Sequence, residues 1–256
     1  MISPTPTKVK PAAPPLRTLA VIPARLASTR LPRKVLRELA GRPMLAWVYE
    51  AARACPQLDG VLIATDSEEV LALCDENAWP AILTSPDLPS GSDRVHAAAQ
   101  LHPAEIYVNI QGDEPLLRPE HLTALLAPFK EPSVQVTTLK VLCTAENLNN
   151  PNAVKVVCAP DHRALYFSRA SIPYDRDAVG TPVWKHLGLY AYRAEALDRF
   201  HALAPSPLEL TERLEQLRFL ENGIPVYVAE TVYDTVGVDT EEDLKRVESL
   251  LKSSQL

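Results

Sequence analysis

Leu19-Ala-Val-Ile22-Pro23-Ala-Arg25-Leu-Ala-Ser28-Thr29-Arg30-Leu-Pro32-Arg33-Lys34 changes character partway along. Leu19 to Ile22 is a short apolar run, β-branched at its end, which predicts a buried strand. The remainder sets Arg25, Arg30, Arg33 and Lys34 around the hydroxyls of Ser28 and Thr29, with Pro23 and Pro32 restricting the backbone on either side. A strand that opens into a cationic, hydroxyl-bearing loop suits a polyphosphate ligand. The stretch has no glycine, so it is neither a Walker-type phosphate loop nor a GxGxxG dinucleotide turn. A solvated basic loop is the other reading of the same residues.

Outward from this stretch, the two regular patterns alternate. Met44, Trp47, Val48, Ala51, Ala52 and Cys55 recur at helical spacing and predict an amphipathic helix. Val61 to Thr65 reads as a second strand; Asp66 or Ser67 then caps a helix with Val70, Leu71 and Cys74 on its apolar face. Ala81 to Thr84 is a third strand, followed by a Pro/Ser/Gly loop from Ser85 to Ser92 and a helix containing Arg94 and Val95. Ile106 to Ile110 is a fourth strand, ending in Gln111-Gly112-Asp113-Glu114-Pro115. This rhythm predicts right-handed βαβ crossovers, an α/β fold with parallel strands and helices on both faces.

The rhythm changes after a helix from Pro119 to Lys130. Val134–Leu142, Ala153–Cys158, Ala164–Ser168 and His186–Tyr192 read as strands with no helix between them, so residues 134–193 are expected to form an antiparallel extension of the sheet. Ala194–Leu203 and Ser206–Asn222 are expected helices, the second with a Leu210, Leu214, Leu217 and Leu220 stripe and Gly223 as its stop. Pro225–Ala229 is a last strand, and Thr240 caps a terminal helix reaching Lys252. Residues 18–256 are expected to form one domain behind a proline-rich, disordered tail at 1–17.

Composition narrows the function classes. The chain has 256 residues, 46% apolar and 23% charged, enough for a substantial core in a soluble domain. A formal net charge of −6 argues against a broad nucleic-acid-binding surface and makes the cations near Arg25 a local feature. Cys55, Cys74, Cys143 and Cys158 show no metal-site spacing and read as buried, reduced thiols of a cytoplasmic protein. No run approaches the roughly 18 to 20 apolar residues of a membrane span.

In open α/β sheets ligands bind beyond the carboxyl ends of the parallel strands. The polar clusters Arg25–Lys34, Thr65–Asp66, Ser90–Arg94 and Gln111–Glu114 all fall there. Asp113, beside Gly112, suits a magnesium ion that takes one or two carboxylates plus substrate phosphates, and Asp239, after Gly237, offers a second carboxylate. Singly, each aspartate also reads as a turn or cap residue; as a pair beside a cationic loop they suit phosphoryl or nucleotidyl transfer. Ser90-Gly91-Ser92-Asp93-Arg94 reads as an anion or nucleobase site, or equally as an ordinary helix cap with an exposed arginine. His186 and Tyr190, four apart on a strand, share a face. Glu209, Glu212, Glu215 and Gln216 read by default as a solvated acidic helix face.

Taken in order, the runs IPARLASTRLPRK, ATDSEEV, SGSDR, VNIQGDEP, NPNAVKVV, ALYFSRASIPYDRD, HLGLYAYR, LEQLR and GVDTEEDL resemble those of the 3-deoxy-manno-octulosonate cytidylyltransferases. The resemblance implies a nucleotide-diphospho-sugar transferase fold (Rossmann-like, a mixed sheet with helices on both faces). It implies a Mg²⁺-dependent reaction in which CTP and 3-deoxy-manno-octulosonate (Kdo) give CMP-Kdo and pyrophosphate for lipopolysaccharide synthesis. It also implies a cytoplasmic homodimer using the antiparallel region as its contact. By position, it assigns Arg25, Ser28, Arg30 and Lys34 to the CTP phosphates, and Ser92 and Arg94 to the nucleotide. Asp113 and Asp239 become metal ligands, and Gln111 falls near the sugar. Arg169, His186, Tyr190, Glu215 and Gln216 become the Kdo pocket. No general base is implied. Two alternatives stay open: a cytidylyltransferase for another acidic sugar, and a non-catalytic nucleotide-binding regulator. Where the family usually reads LPGK this chain reads LPRK, so Arg33 stands in a glycine's place and is strained if that position needs a positive φ.

Overall fold

In the computed structural model, which describes residues 16–26 and 30–254, the apolar opening run forms the strand around which a mixed sheet is laid down. The strands are β1 (Leu16–Ala24), β2 (Glu38–Leu39), β3 (Arg42–Pro43), β4 (Gly60–Thr65), β5 (Ala81–Leu83), β6 (Ala104–Asn109), β7 (Val136–Leu142), β8 (Lys155–Cys158), β9 (Ala164–Ser168), β10 (Trp184–Arg193) and β11 (Val226–Glu230). The helices are α1 (Met44–Arg53), α2 (Glu68–Glu76), α3 (Gly91–Leu101), α4 (Pro119–Leu126), α5 (Ala145–Leu148), α6 (Ala194–Ala202), α7 (Pro207–Glu212), α8 (Leu217–Glu221) and α9 (Glu241–Ser254). The sheet runs β11-β7-β10-β6-β1-β4-β5. β1 pairs in parallel with both β4 and β6, as the alternating pattern requires, and β4 pairs in parallel with β5.

Alternation along β1 splits the core between two faces. Ala20, Ile22 and Ala24 pack with residues of α1, α2 and α4, whereas Leu19 and Val21 pack with residues of α3, α6 and α8. The expected caps form: Ser67 Oγ accepts from the Val70 N–H, and Thr240 Oγ1 accepts from the Asp243 N–H at 3.1 Å while Asp243 accepts back from the Thr240 N–H at 3.0 Å.

The antiparallel region divides in two. β7 and β10 are inserted in the centre of the sheet, β10 antiparallel to β6 and β7, with β11 parallel to β7 beyond them. Only β8 and β9 stand off the main path, as an antiparallel arm hung on β10. Strand connectivity without intervening helices is visible in sequence; which strands return to the sheet centre is decided by long-range pairing.

Other expectations need correction. The strand starts at Leu16, so Leu16 and Arg17 belong to the domain rather than to the tail; residues 1–15 lie outside the described residues. Cys55 and Cys74 are buried, but Cys143 and Cys158 are only partly so; all four are free thiols. The helix expected over Ser206–Asn222 is two helices, broken at Arg213, whose backbone is left-handed at φ 56° and ψ 48°. Leu210 is 56% exposed and outside the stripe, while Leu214 and Leu217 are buried. The acidic face is not solvated either: Glu209 is buried against Arg218, and Glu212 accepts from Ser168 Oγ at 2.6 Å.

Candidate functional site

A third apolar cluster ties together chain segments far apart in sequence. Leu31, Leu39 and Met44 pack with Val238, Leu244, Val247 and Leu251, which lays α9 and the loop before it against the cationic stretch. A fully buried leucine or valine side chain contributes about 1.5–3 kcal/mol, so this cluster holds the end of the chain firmly. The Val238 N–H donates to the Asp113 carbonyl at 2.9 Å, adding a backbone tie. Gly112 supplies the other close approach. A Cβ at this position would lie 2.9 Å from the Pro23 carbonyl oxygen, so only glycine lets the chain leave β6 this near β1.

These contacts gather one electrostatic cluster. Lys34 Nζ donates to Asp113 Oδ2 and, at 2.9 Å, to Asp239 Oδ1, while Arg30 pairs with Asp239 Oδ2 at 3.0 Å. Burial by itself would lower the Lys34 pKa, but the charges of Asp113 and Asp239 outweigh it and raise the value. Two carboxylates that expectation paired across the chain therefore converge on one ammonium. An all-oxygen donor pair closed around a cation is the donor set a magnesium ion uses, its remaining ligands being waters and phosphate oxygens. Among the described residues no group of three or more His, Cys, Asp or Glu side chains gathers to hold a metal unaided.

Next to this cluster lies a cavity of about 350 Å³ lined by Arg25, Ser90, Ser92, Asn109, Gln111, Tyr190, Tyr192, Arg213, Glu215 and Gln216, among others. The break at Arg213 turns Glu215 and Gln216 inward. Burial raises the Glu215 pKa, against the opposing hydrogen bond of Ser92 and charge of Arg218. Gln216 is buried, yet its Nε2 has no hydrogen-bond partner among the described residues. A buried amide donor without an acceptor costs about 1–3 kcal/mol, a deficit that an oxygen-rich ligand in this cavity would remove. Gln111 Nε2 donates to Asn109 Oδ1 at 3.2 Å, which fixes the rim nearest Asp113.

Several expected site residues sit elsewhere. Arg94 is fully buried rather than exposed. Its guanidinium pairs with Asp66 at 3.0 Å and donates to Thr84 Oγ1, tying α3 to the ends of β4 and β5. Each of the three guanidinium nitrogens of Arg169 donates to a main-chain carbonyl: Nε to Glu212 at 2.7 Å, and the two Nη to Pro151 at 2.9 Å and Arg213 at 3.3 Å. It stands behind the cavity wall rather than in it. His186 is also buried behind the wall. Its Nε2 lies 2.9 Å from Thr138 Oγ1 and 3.0 Å from the Tyr190 hydroxyl, and burial, then the charge of Lys185, push its pKa down to about 3. A two-residue bulge between Leu187 and Tyr190 keeps both side chains on one face, as their spacing implied. Arg33 does adopt the left-handed conformation, φ 58° and ψ 31°, and pairs with Glu69 across the loop. Ser28 and Thr29 lie outside the described residues.

Two residues here escape sequence reasoning. Asn109, two residues before Gln111, lines the cavity wall, which nothing in the sequence distinguishes. Glu114 belongs to the Gln111–Glu114 polar cluster and carries no role of its own there. Glu114 is buried beside Asp113, one carboxyl oxygen is unpartnered, and burial and the Asp113 charge push its pKa up to about 7. Arg213 had no signal, since it lies inside what reads as continuous helix.

A cytidylyltransferase family model matches residues 19–232. A 3-deoxy-manno-octulosonate cytidylyltransferase of Acidobacterium capsulatum is 66% identical over 237 residues, 92% of this chain and 97% of the relative. One from Koribacter versatilis is 59% identical, covering 93% and 91% respectively. A solved CMP:2-keto-3-deoxy-manno-octonic acid synthetase in complex with CTP superposes with a TM-score of 0.90 at 38% identity, covering 93% of this chain and 99% of that one.

Proposed function

Because the chain belongs to the 3-deoxy-manno-octulosonate cytidylyltransferase family, we propose that its two adjoining clusters join CTP to Kdo, giving CMP-Kdo and pyrophosphate. The observation that carries this reading is the convergence of Asp239 and Asp113 on Lys34, with Asp113 two residues along the chain from Gln111 in the wall of a cavity rich in hydrogen-bonding groups.

In the proposed reaction the anomeric hydroxyl oxygen of the sugar acid attacks the α-phosphorus of CTP. The bond from that phosphorus to the bridging oxygen breaks, pyrophosphate leaves with the electron pair, and the hydroxyl proton passes to solvent. Arg25, Arg30 and Lys34 face the phosphates and offset the charge that grows on them. Asp113 and Asp239 would hold Mg²⁺, which when bound supplies further charge neutralisation and acidifies an oxygen it touches. Lys34 then exchanges carboxylate partners for phosphate ones. Tyr190, Gln111, Glu215 and Gln216 orient the sugar acid's hydroxyls, and Ser92 holds Glu215. The product is an activated sugar of the kind consumed in building lipopolysaccharide. The protein is proposed to act in the cytoplasm, where CTP is available, and as a homodimer through the antiparallel region, which exposes Leu142 on β7 and Leu165 on β9. Among the described residues no helix is long and apolar enough to cross a membrane.

The test is pyrophosphate release from CTP and Mg²⁺ with Kdo, an amino-substituted Kdo and a sialic acid. Release with Kdo and little with the others is expected. Preference for another acid would reassign the cavity, and no release with any would leave a nucleotide-binding regulator.

A further inference from the structure

The family resemblance gives Arg169 to the sugar acid, yet each of its guanidinium nitrogens donates to a main-chain carbonyl and it does not line the cavity, whereas a different arginine does. Arg213 lines the wall, and its side chain is exposed and forms no hydrogen bond or ion pair among the described residues. Its backbone is left-handed, a conformation that a residue with a Cβ occupies only when its surroundings impose it. The imposing groups are visible. Arg169 Nε and one Nη donate to the carbonyls of Glu212 and Arg213, and the Arg169 N–H donates to Glu212 Oε2 at 2.9 Å. On the far side of the break, Arg218 forms two hydrogen bonds to the buried Glu209 carboxylate. The turn between α7 and α8 is thus clamped at both ends, and what it presents to the cavity is a guanidinium, a carboxyl and the unpartnered Gln216 amide.

The charges elsewhere make Arg213 distinctive. Arg30 and Lys34 are engaged by Asp239 and Asp113 beside the phosphate loop. Arg25, the other cation on the cavity wall, makes one long contact of 3.4 Å to the Pro89 carbonyl on the loop side. We propose that Arg213 is the specificity-determining cation that reads the carboxylate of the sugar acid, and that Arg169 is a positioning residue that holds Arg213 in place from behind. A guanidinium presents paired N–H donors that match the two oxygens of a carboxylate. This inference rests on the sugar-acid reading of the cavity.

Steady-state kinetics with Kdo and CTP varied separately test it. Arg213→Gly is the informative variant, because glycine suits the left-handed backbone and removes only the side chain. The KM for Kdo should rise about 10- to 100-fold, the loss expected for a charge-assisted hydrogen bond. KM for CTP should stay within about twofold, and the melting temperature should not fall. With the C1 carboxamide of the sugar in place of the acid, wild type and Arg213→Gly should become alike, and Arg213→Lys should recover part of the loss with the acid. Arg169→Ala should raise the KM for Kdo, and adding Arg213→Gly to it should cost little more, because both act through one guanidinium. An unchanged KM for Kdo in Arg213→Gly, or a change confined to CTP, overturns the assignment while turnover by the wild type leaves the proposed function standing. Absence of turnover by the wild type with Kdo counts against that function instead; the Arg213 assignment then falls if Arg213→Gly does not weaken equilibrium binding of Kdo.

Discussion

Around Lys34, cations and carboxylates neutralise one another: Lys34 lies on Asp113 and Asp239, and Arg30 on Asp239. In the adjoining cavity the opposite holds, with Arg213 and the Gln216 amide unpaired and Glu215 pushed toward its protonated form by burial. The first region is assembled at loop ends brought together by an apolar cluster and a glycine contact. The second is made by breaking a helix and clamping the break. The contrast separates two tasks. On the proposed function, a triphosphate and its metal would take over charges already in position, whereas the cavity offers the donors of Arg213 and Gln216 to a ligand's oxygens.

The largest effect should come from breaking the neutral cluster. Asp113→Asn and Asp239→Asn should each lower kcat by about 10²–10⁴, the range for losing a positioned charge in phosphoryl transfer. Because each variant removes one of the two carboxylates proposed to hold the metal, tight Mg²⁺ binding followed by calorimetry should be lost in both while circular dichroism stays native. Near-full turnover in either variant would remove it from the metal pair.

Breaking the clamp of the second region should act on stability and on one substrate only. Arg218→Met leaves the buried Glu209 carboxylate unpaired, which costs about 3–5 kcal/mol when one member of such a pair is removed. A chemical-denaturation midpoint should fall accordingly, and the KM for the sugar acid should rise with that for CTP unchanged. Equal changes in both constants would mean that the two regions are not separable.

A smaller effect is pH-dependent. His186 titrates near 6.5 when unfolded and about 3 when folded, so the unfolded chain binds the extra proton between these values. Stability is therefore complete above pH 6.5 and declines as pH falls toward 3, by about 2 kcal/mol at pH 5. Denaturation of His186→Asn at pH 8 and pH 5 should show that slope reduced; an unaltered slope would assign it to other groups.

The smallest concerns the loop. Arg33→Gly relieves a left-handed backbone but gives up an exposed ion pair with Glu69, and the two nearly offset, leaving a change under about 1 kcal/mol in favour of glycine. Denaturant midpoints decide it; a marked loss of stability would show that the pair with Glu69 outweighs the backbone term.

The same contrast governs how much could be read beforehand. The parallel half was legible because its strands are short apolar runs and two of its helices carry side-chain caps, at Ser67 and Ser90. Asp113 and Asp239 could be paired because each lies between a strand and a helix. The central position of β7 and β10 was not legible, since nothing local states which edge a strand returns to. Nor was the break at Arg213. Leucines at 210, 214, 217 and 220 continue the helical spacing through it, and the forces that end the helix come from Arg169 and from the Glu209–Arg218 pair, remote partners with no local trace. Arg94 was misplaced for the same reason: an arginine at a helix start looks exposed until Asp66 and Thr84 are seen to enclose it.

The apolar cluster of Leu31, Leu39 and Met44 with Val238, Leu244, Val247 and Leu251 also sets an order of assembly. The cationic stretch at Arg30–Lys34 leaves the ribosome early, and Asp239, 205 residues after Lys34, follows with α9. A chain still being synthesised can form β1 and its neighbours but lacks the second carboxylate and the wall that seats it. On the proposed function, a protein clipped before Asp239 would keep the strands of its sheet and lose the ability to spend nucleotide.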